Sequence, residues 1–221
     1  MRLCVLDLDG SVAAQPPLLA RLAGGAGRSA ALRDLAPRLR LAASRSAVAS
    51  LLQRLDRLLA GGHGPEVIFY GSGDFHHLTA AFLMRRAKPI TVIHLDNHPD
   101  WVTFPATLNC GAWVNRALEN PNVVKVITIG PCSDDLAWPQ LKGGNLAAIA
   151  AGRLEVYPWH HPPSRLVPFL PRPQALPTVG HRLHWQTGWR RRLDGLPRRS
   201  QPPHSDPRRL DHPRQGRLCP R

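Results

Sequence analysis

The sequence predicts an α/β protein built on a mainly parallel β-sheet covered on both faces. Three observations carry that prediction. Candidate strands alternate with candidate helices along residues 1–160. The strands are continuous apolar runs, as in sheets buried from both sides, rather than alternations of apolar and polar residues. Polar clusters stand just past two of the strands, where such sheets place their ligands.

The elements follow in order. Arg2–Asp7 is a short apolar run closing in DLDGS, a strand followed by a turn. Residues 11–44 are rich in Ala, Gly, Arg and Pro and read as loop with some helix. Between Arg45 and Ala60, Val48, Leu51, Leu52, Leu55, Leu58 and Leu59 recur at helical spacing, one face of an amphipathic helix that Gly61 and Gly62 end. Glu66–Tyr70 (EVIFY) is a buried strand broken at Gly71-Ser72-Gly73. His77–Ala87 reads as a helix stopped before Pro89, and Ile90–Leu95 (ITVIHL) as a second buried strand. Gly111–Glu119 reads as a helix stopped by Asn120 and Pro121. Val123–Ile129 (VVKVITI) is a third central strand, closed by Gly130 and Pro131.

Composition bounds the function. With 221 residues, 43% of them hydrophobic, the chain has material for one domain, or one domain and a tail. No stretch approaches the roughly 18 apolar residues of a membrane span. Carboxylates interrupt the apolar run at the N-terminus, so no secretory leader is expected. Cysteines at 4, 110, 132 and 219 form no CxxC pair, which leaves no structural zinc site or disulfide framework to read. A reducing, cytoplasmic location is expected.

The net charge of +14 invites a nucleic-acid partner, but its distribution does not support one. Residues 1–160 carry 16 basic and 12 acidic side chains, whereas residues 161–221 carry 13 arginines and 3 aspartates. Those last residues also hold 12 of the 23 prolines and no Lys, Glu, Ile, Met, Asn or Tyr. They show neither helical nor strand periodicity and too little apolar surface to offset their ordering entropy. The expected division is therefore an α/β domain over 1–160 and a disordered Pro/Arg-rich tail over 161–221. All-arginine basicity with abundant Pro, His, Gln and Gly is also what a GC-rich gene gives out of frame, and the frame change is placed between about Pro162 and Leu176.

The chemistry-bearing residues lie past the strands. After EVIFY comes Gly71-Ser72-Gly73-Asp74-Phe75-His76-His77, and after ITVI comes His94-Leu95-Asp96-Asn97-His98-Pro99-Asp100-Trp101. In an extended segment, residues two apart share a face, so Asp96, His98 and Asp100 are expected to converge at the strand's mouth. An imidazole with two hard carboxylates suits Mn, Fe or Zn, and the oxygen-rich set favours Mn. A neighbouring strand end can add His76 or His77. Two ions bridged by a carboxylate lower the pKa of a shared water and supply hydroxide near neutral pH. His94 reads equally well as a hydrogen-bonded structural histidine.

HLDNHPDW resembles the H-x-D-A-H-x-D segment of the ureohydrolases (arginase, agmatinase and formimidoylglutamase), and GSGDFHHLT resembles their G-G-D-H-S segment with one residue extra. The resemblance covers roughly residues 60–160. It implies a three-layer α/β/α sandwich with a parallel sheet and a two-manganese centre whose hydroxide attacks a guanidinium or formimino carbon. Carried over, Asp96 bridges the ions, Asp100 binds the first and His98 the second. The histidine of the earlier segment binds the first ion; His76 is preferred, since His77-Leu78-Thr79 then matches the Ser-x-Thr that follows in the family. The metal set is thus His76, Asp96, His98 and Asp100, with Asp96 and Asp100 central to catalysis.

Three departures stand out. The family's late D-x-D-x-x-D-P segment, which adds two carboxylates, has no counterpart. LNCGAWVNRAL replaces the N-x-H-G-M-P-like loop, so the proton-shuttling histidine is absent and Cys110 occupies its neighbourhood, read as a buried inert thiol. Asn97 replaces the common Ala. The expectation is a metallohydrolase for a small guanidino or formimino substrate, truncated in function, holding one Mn or Zn ion weakly or none. A homo-oligomer is compatible with the resemblance. Two alternatives remain. Asp7-Leu8-Asp9-Gly10-Ser11 resembles the first motif of haloacid-dehalogenase-like phosphatases, with Asp7 as nucleophile, Asp9 as acid/base, and Ser72, Lys88 and Ser133-Asp134-Asp135 as the later motifs. The arginines of the tail, with Trp185 and Trp189 for stacking, would serve a nucleic-acid binder.

Overall fold

The computed structural model describes residues 2–59, 65–103 and 107–185. The chain divides into a unit Met1–Gln186 and a second, Thr187–Arg221, which lies outside the described residues together with Trp189, most of the tail's arginines, and Gly61 and Gly62. The strands are β1 (Arg2–Asp7), β2 (Gly27–Ala31), β3 (Ala42–Ala43), β4 (Glu66–Tyr70), β5 (Ile90–Leu95), β6 (Leu108–Asn109), β7 (Val123–Ile129), β8 (Leu154–Tyr157), β9 (Ser164–Arg165), β10 (Thr178–Val179) and β11 (Arg182–Leu183). The α-helices are α1 (Pro16–Ala23), α2 (Ala36–Leu39), α3 (Arg45–Leu59), α4 (Thr79–Leu83), α5 (Trp113–Leu118) and α6 (Leu146–Ala150). No helix among the described residues is long and apolar enough to cross a membrane.

The architecture is mixed α/β with parallel sheets. Instead of one sheet, the described residues form two three-stranded parallel sheets, ordered β2-β1-β4 and β5-β7-β8, with short antiparallel pieces β3-β6 and β10-β11-β9. β1 is apolar from Leu3 to Leu6 because it is central and buried on both faces: Cys4, Val5 and Leu6 are all but inaccessible. α3 presents Ala47, Val48, Leu51, Leu55 and Leu59 to the core, and Ser44 caps it by accepting the Ala47 N–H at 3.2 Å.

The second sheet departs from two-sided burial. Its inner face carries Val92, His94, Val126, Thr128, Leu154 and Val156 in register, beneath α5 and α6. Its outer face leaves Ile93 56% and Leu95 73% exposed on the edge strand β5. An apolar edge strand with an uncovered face invites self-association. Ile93→Lys is therefore expected to leave the melting temperature nearly unchanged and to lower the weight-average mass seen by sedimentation at high concentration; a steep loss of stability would show that this face is covered.

The ordered chain also continues past residue 160. Ser164 is buried and Leu166, Leu176 and Leu183 pack with Leu146 of α6. Trp185 lies 5.8 Å from the buried Trp101 ring and donates to Ser164 Oγ at 2.7 Å. Residues 161–185, read from composition as part of a disordered tail, are thus held by contacts to the preceding domain that local periodicity does not encode.

Candidate metal centre

The site is assembled by two turns. Gly71 leaves β4 with φ of +57°, and a Cβ there would stand 2.4 Å from the Phe75 ring, so glycine is required for the exit. Gly73–Leu78 then winds as a 3₁₀-helix. In that tight helix adjacent side chains diverge, and the His76 and His77 rings lie with centroids 6.3 Å apart and planes at 86°. His76 faces the loop after β5. His77 turns into the core, fully buried, with Nδ1 3.4 Å from Cys110 Sγ.

The loop after β5 bends instead of extending. The Asp96 Oδ1 accepts the His98 N–H at 2.9 Å, a local turn, and Asp100 adopts φ of +46°. Aspartate tolerates that left-handed conformation better than most residues, yet it costs energy that the surroundings must offset. The bend carries Asp100 inward, to 6% exposure, and swings His98 outward, to 54% exposure of its side chain. One ligand atom from each of His76, Asp96 and Asp100 lies within 4.8 Å of the others. His98 is outside that group, its Nδ1 3.6 Å from Asp96 Oδ1. The structure thus brings together three of the four expected ligands, and by a turn rather than by strand alternation.

The candidate ligands are held in place by their neighbours. His76 Nδ1–H donates to the Gly73 carbonyl at 2.5 Å, which directs Nε2 at Asp100 Oδ2, 3.2 Å away. A metal-binding histidine typically anchors its other nitrogen in this manner. The Trp113 indole N–H donates to Asp100 Oδ2 at 2.8 Å. His94, on β5, stacks edge-on against Trp113 at 4.8 Å and has Nδ1 3.3 Å from Thr128 Oγ1. Its Nε2 is 3.5 Å from both Asp96 Oδ2 and Asp100 Oδ2. Sequence reasoning did not find Trp113 or Thr128. The one available signal for Thr128 is that it shares the buried parity of Val126 on β7.

The electrostatics suit a cation. The hydrogen bond to Asp100 raises the pKa of His76 to about 9, against the opposing effect of burial. Burial pushes Asp96 upward, but the His98 N–H and the nearby His94 and His76 outweigh it and hold the carboxyl below its usual range. Burial lowers His94, although Asp100 and Asp96 pull the other way. Burial and the neighbouring His76 lower His77 to about 4. The Cys110 thiol is pushed up by burial and by Asp100 and Asp74, which keeps it protonated and inert.

The donor chemistry fits a divalent cation, and so does the spacing around Asp100 Oδ2. Ligand atoms about 2.1 Å from a shared ion stand roughly 3.0–3.5 Å apart, the separations seen around Asp100 Oδ2. The group borders a cleft of about 340 Å³ lined by His76, His98, Asp100, Trp101, Cys110 and Asp135. A larger cleft of about 500 Å³ beside α3 is lined mainly by apolar groups such as Val48, Leu52 and Leu108 and offers no imidazole.

The residues of the phosphatase alternative are engaged otherwise. Asp7 accepts from the Gly10 N–H and from Arg33 Nε, both at 2.8 Å. Burial pushes Asp9 upward, but it accepts from the Ser11 N–H, the Ser11 hydroxyl and the Ser72 N–H, and together these bonds outweigh burial and lower its pKa to about 2. A carboxyl so acidic is a poor proton donor at neutral pH.

No protein-family profile and no solved structure matches the chain. A Thermotoga maritima protein, named only as an uncharacterized protein, is 36% identical over 64 residues, which make up 29% of this chain and 26% of that protein. The chain therefore spans about a quarter of the length of the curated relative it matches, and the likeness assigns no activity.

Proposed function

We propose that the chain holds one divalent cation, Mn²⁺ by preference, between His76, Asp96 and Asp100, in an arginase-like three-layer α/β/α setting, and that its chemistry is hydrolysis of a linear C–N bond in a small guanidino or formimino compound. The observation that carries the reading is the meeting of an imidazole and two carboxylates, drawn from the two strand mouths that resemble the ureohydrolase segments, within 4.8 Å of one another. A cation bound there would lower the pKa of a coordinated water and supply hydroxide near neutral pH. Asp96 and Asp100 provide the negative charge that holds it. The cleft admits a small substrate to the exposed side, where His98 stands. Beside His98 the described residues offer no second cluster of three ligands. A single ion, and hydrolysis far slower than a two-ion centre gives, is the expected state of this chain.

Titration of the full chain with Mn²⁺, read by calorimetry, tests the proposal. One ion per chain is expected. Asp96→Asn is expected to weaken binding at least about tenfold, and His98→Ala to change it less than threefold. Urea or ammonia release from arginine, agmatine and formiminoglutamate then measures the residual hydrolysis. Absence of Mn²⁺ uptake, or uptake indifferent to Asp96, would sink the proposal.

A further inference from the structure

We infer that His94 is a fourth protein ligand of this centre, so that two imidazoles and two carboxylates surround one divalent cation. The inference rests on the single-ion reading above and adds a ligand to which the ureohydrolase resemblance gives no role.

The argument begins with an unsatisfied atom. His94 is 7% exposed, and its Nε2 is fully buried with no hydrogen-bond partner among the described residues. Buried polar groups are nearly always paired, and of the five unpaired buried side-chain atoms among the described residues this is the one aimed between two carboxylates. The ring is not free to turn away from the problem. Nδ1 faces Thr128 Oγ1 at 3.3 Å, and the ring packs edge-on against Trp113, the residue that also holds Asp100. Nε2 is therefore aimed between Asp96 Oδ2 and Asp100 Oδ2, 3.5 Å from each.

That spacing separates the two readings of the residue. A histidine placed to hydrogen-bond a carboxylate stands about 2.7–2.9 Å from it. At 3.5 Å from two carboxylate oxygens at once, the nitrogen makes neither bond well. Ligands of a shared cation keep such distances, because each must reach the ion and none must reach the others. His94 also repeats the arrangement of His76. In both rings Nδ1 meets an oxygen outside the site, and in both Nε2 approaches Asp100 Oδ2. The strand supplies the placement. His94 lies on the buried face of β5 in register with Thr128 of β7, two residues before Asp96. In a chain with no late carboxylate segment, a second imidazole raises the protein's ligand count for one ion from three to four.

Electron spin-echo modulation of the Mn²⁺-loaded full chain counts the coordinated imidazole nitrogens. Two are expected. His94→Gln is expected to leave one and to weaken Mn²⁺ binding about tenfold or more, while His98→Ala leaves two. A single imidazole in the unaltered chain, or His94→Gln with unchanged affinity and count, overturns the inference and leaves the three-residue site standing. Failure of the unaltered chain to take up Mn²⁺ overturns both. If His94→Gln does not fold, the count in the unaltered chain alone decides.

Discussion

Asp100→Asn is expected to lower Mn²⁺ affinity more than about a hundredfold, the largest effect of any single replacement in the site. Three groups converge on one oxygen of this residue: the Trp113 indole N–H at 2.8 Å, His76 Nε2 at 3.2 Å and His94 Nε2 at 3.5 Å. Only a carboxylate would both accept from the indole and offer negative charge to a cation bound between the two imidazoles. An asparagine has the same shape, so its oxygen still receives the indole N–H and the fold is kept. The charge is lost, and a bound ion would lose with it the partner expected to be strongest, in a setting shielded from water, where a charge is worth most. A second readout is independent of metal. His76 owes its raised pKa first to Asp100, so its NMR titration is expected to move down from about 9 in the variant. Calorimetric affinity within about tenfold of the parent would remove Asp100 from the site. An unmoved His76 titration would show that the two side chains do not meet.

The parts of this site that were legible in the sequence are those that local chemistry dictates. Apolar runs located β1, β4, β5 and β7, and leucine spacing located α3 to within a residue of its observed limits. D-x-H-x-D after an apolar strand marked Asp96 and Asp100. The remainder depends on contacts between distant segments. β2, with the sequence GRSAA, carries no apolar pattern and becomes a strand because β1 offers it a partner. β8 and the ordered stretch to Trp185 are fixed by packing on β7, α6 and Trp101. The apolar run of β5 led to an expectation of burial on both sides, whereas Ile93 and Leu95 face outward from an edge. Within the site, strand alternation put His98 beside the aspartates. The turn closed by Asp96 and the left-handed Asp100 put it outside. The same alternation, applied one residue pair earlier, sets His94 inward with Val92, so the signal for that residue was present in the strand itself.

Mn²⁺ affinity is expected to rise about tenfold per pH unit between pH 7 and 9 and to level off above, a span of about a hundredfold. Without an ion, His76 is an imidazolium at neutral pH, its Nε2–H directed at Asp100 and its Nδ1–H at the Gly73 carbonyl. As a ligand, His76 would offer the Nε2 lone pair and would have to give up that proton, while the Nδ1 proton would stay on the Gly73 carbonyl. One proton released per ion gives the tenfold slope until pH passes the pKa of about 9. His94 adds nothing to the count, since burial already favours its neutral form. The ion-free chain behaves in the opposite sense. A histidine with a raised pKa stabilises the fold fully below its ordinary value near 6.5, and that contribution fades as pH climbs through about 9. Thermal melts should therefore show the ion-free chain losing stability over the interval in which added Mn²⁺ gains effect. Asp100→Asn, which removes the cause of the raised pKa, should flatten both trends. A proton release near zero at pH 7.5, measured by titrating in buffers of different ionisation enthalpy, would mean that His76 does not surrender its proton to the ion and is not a ligand.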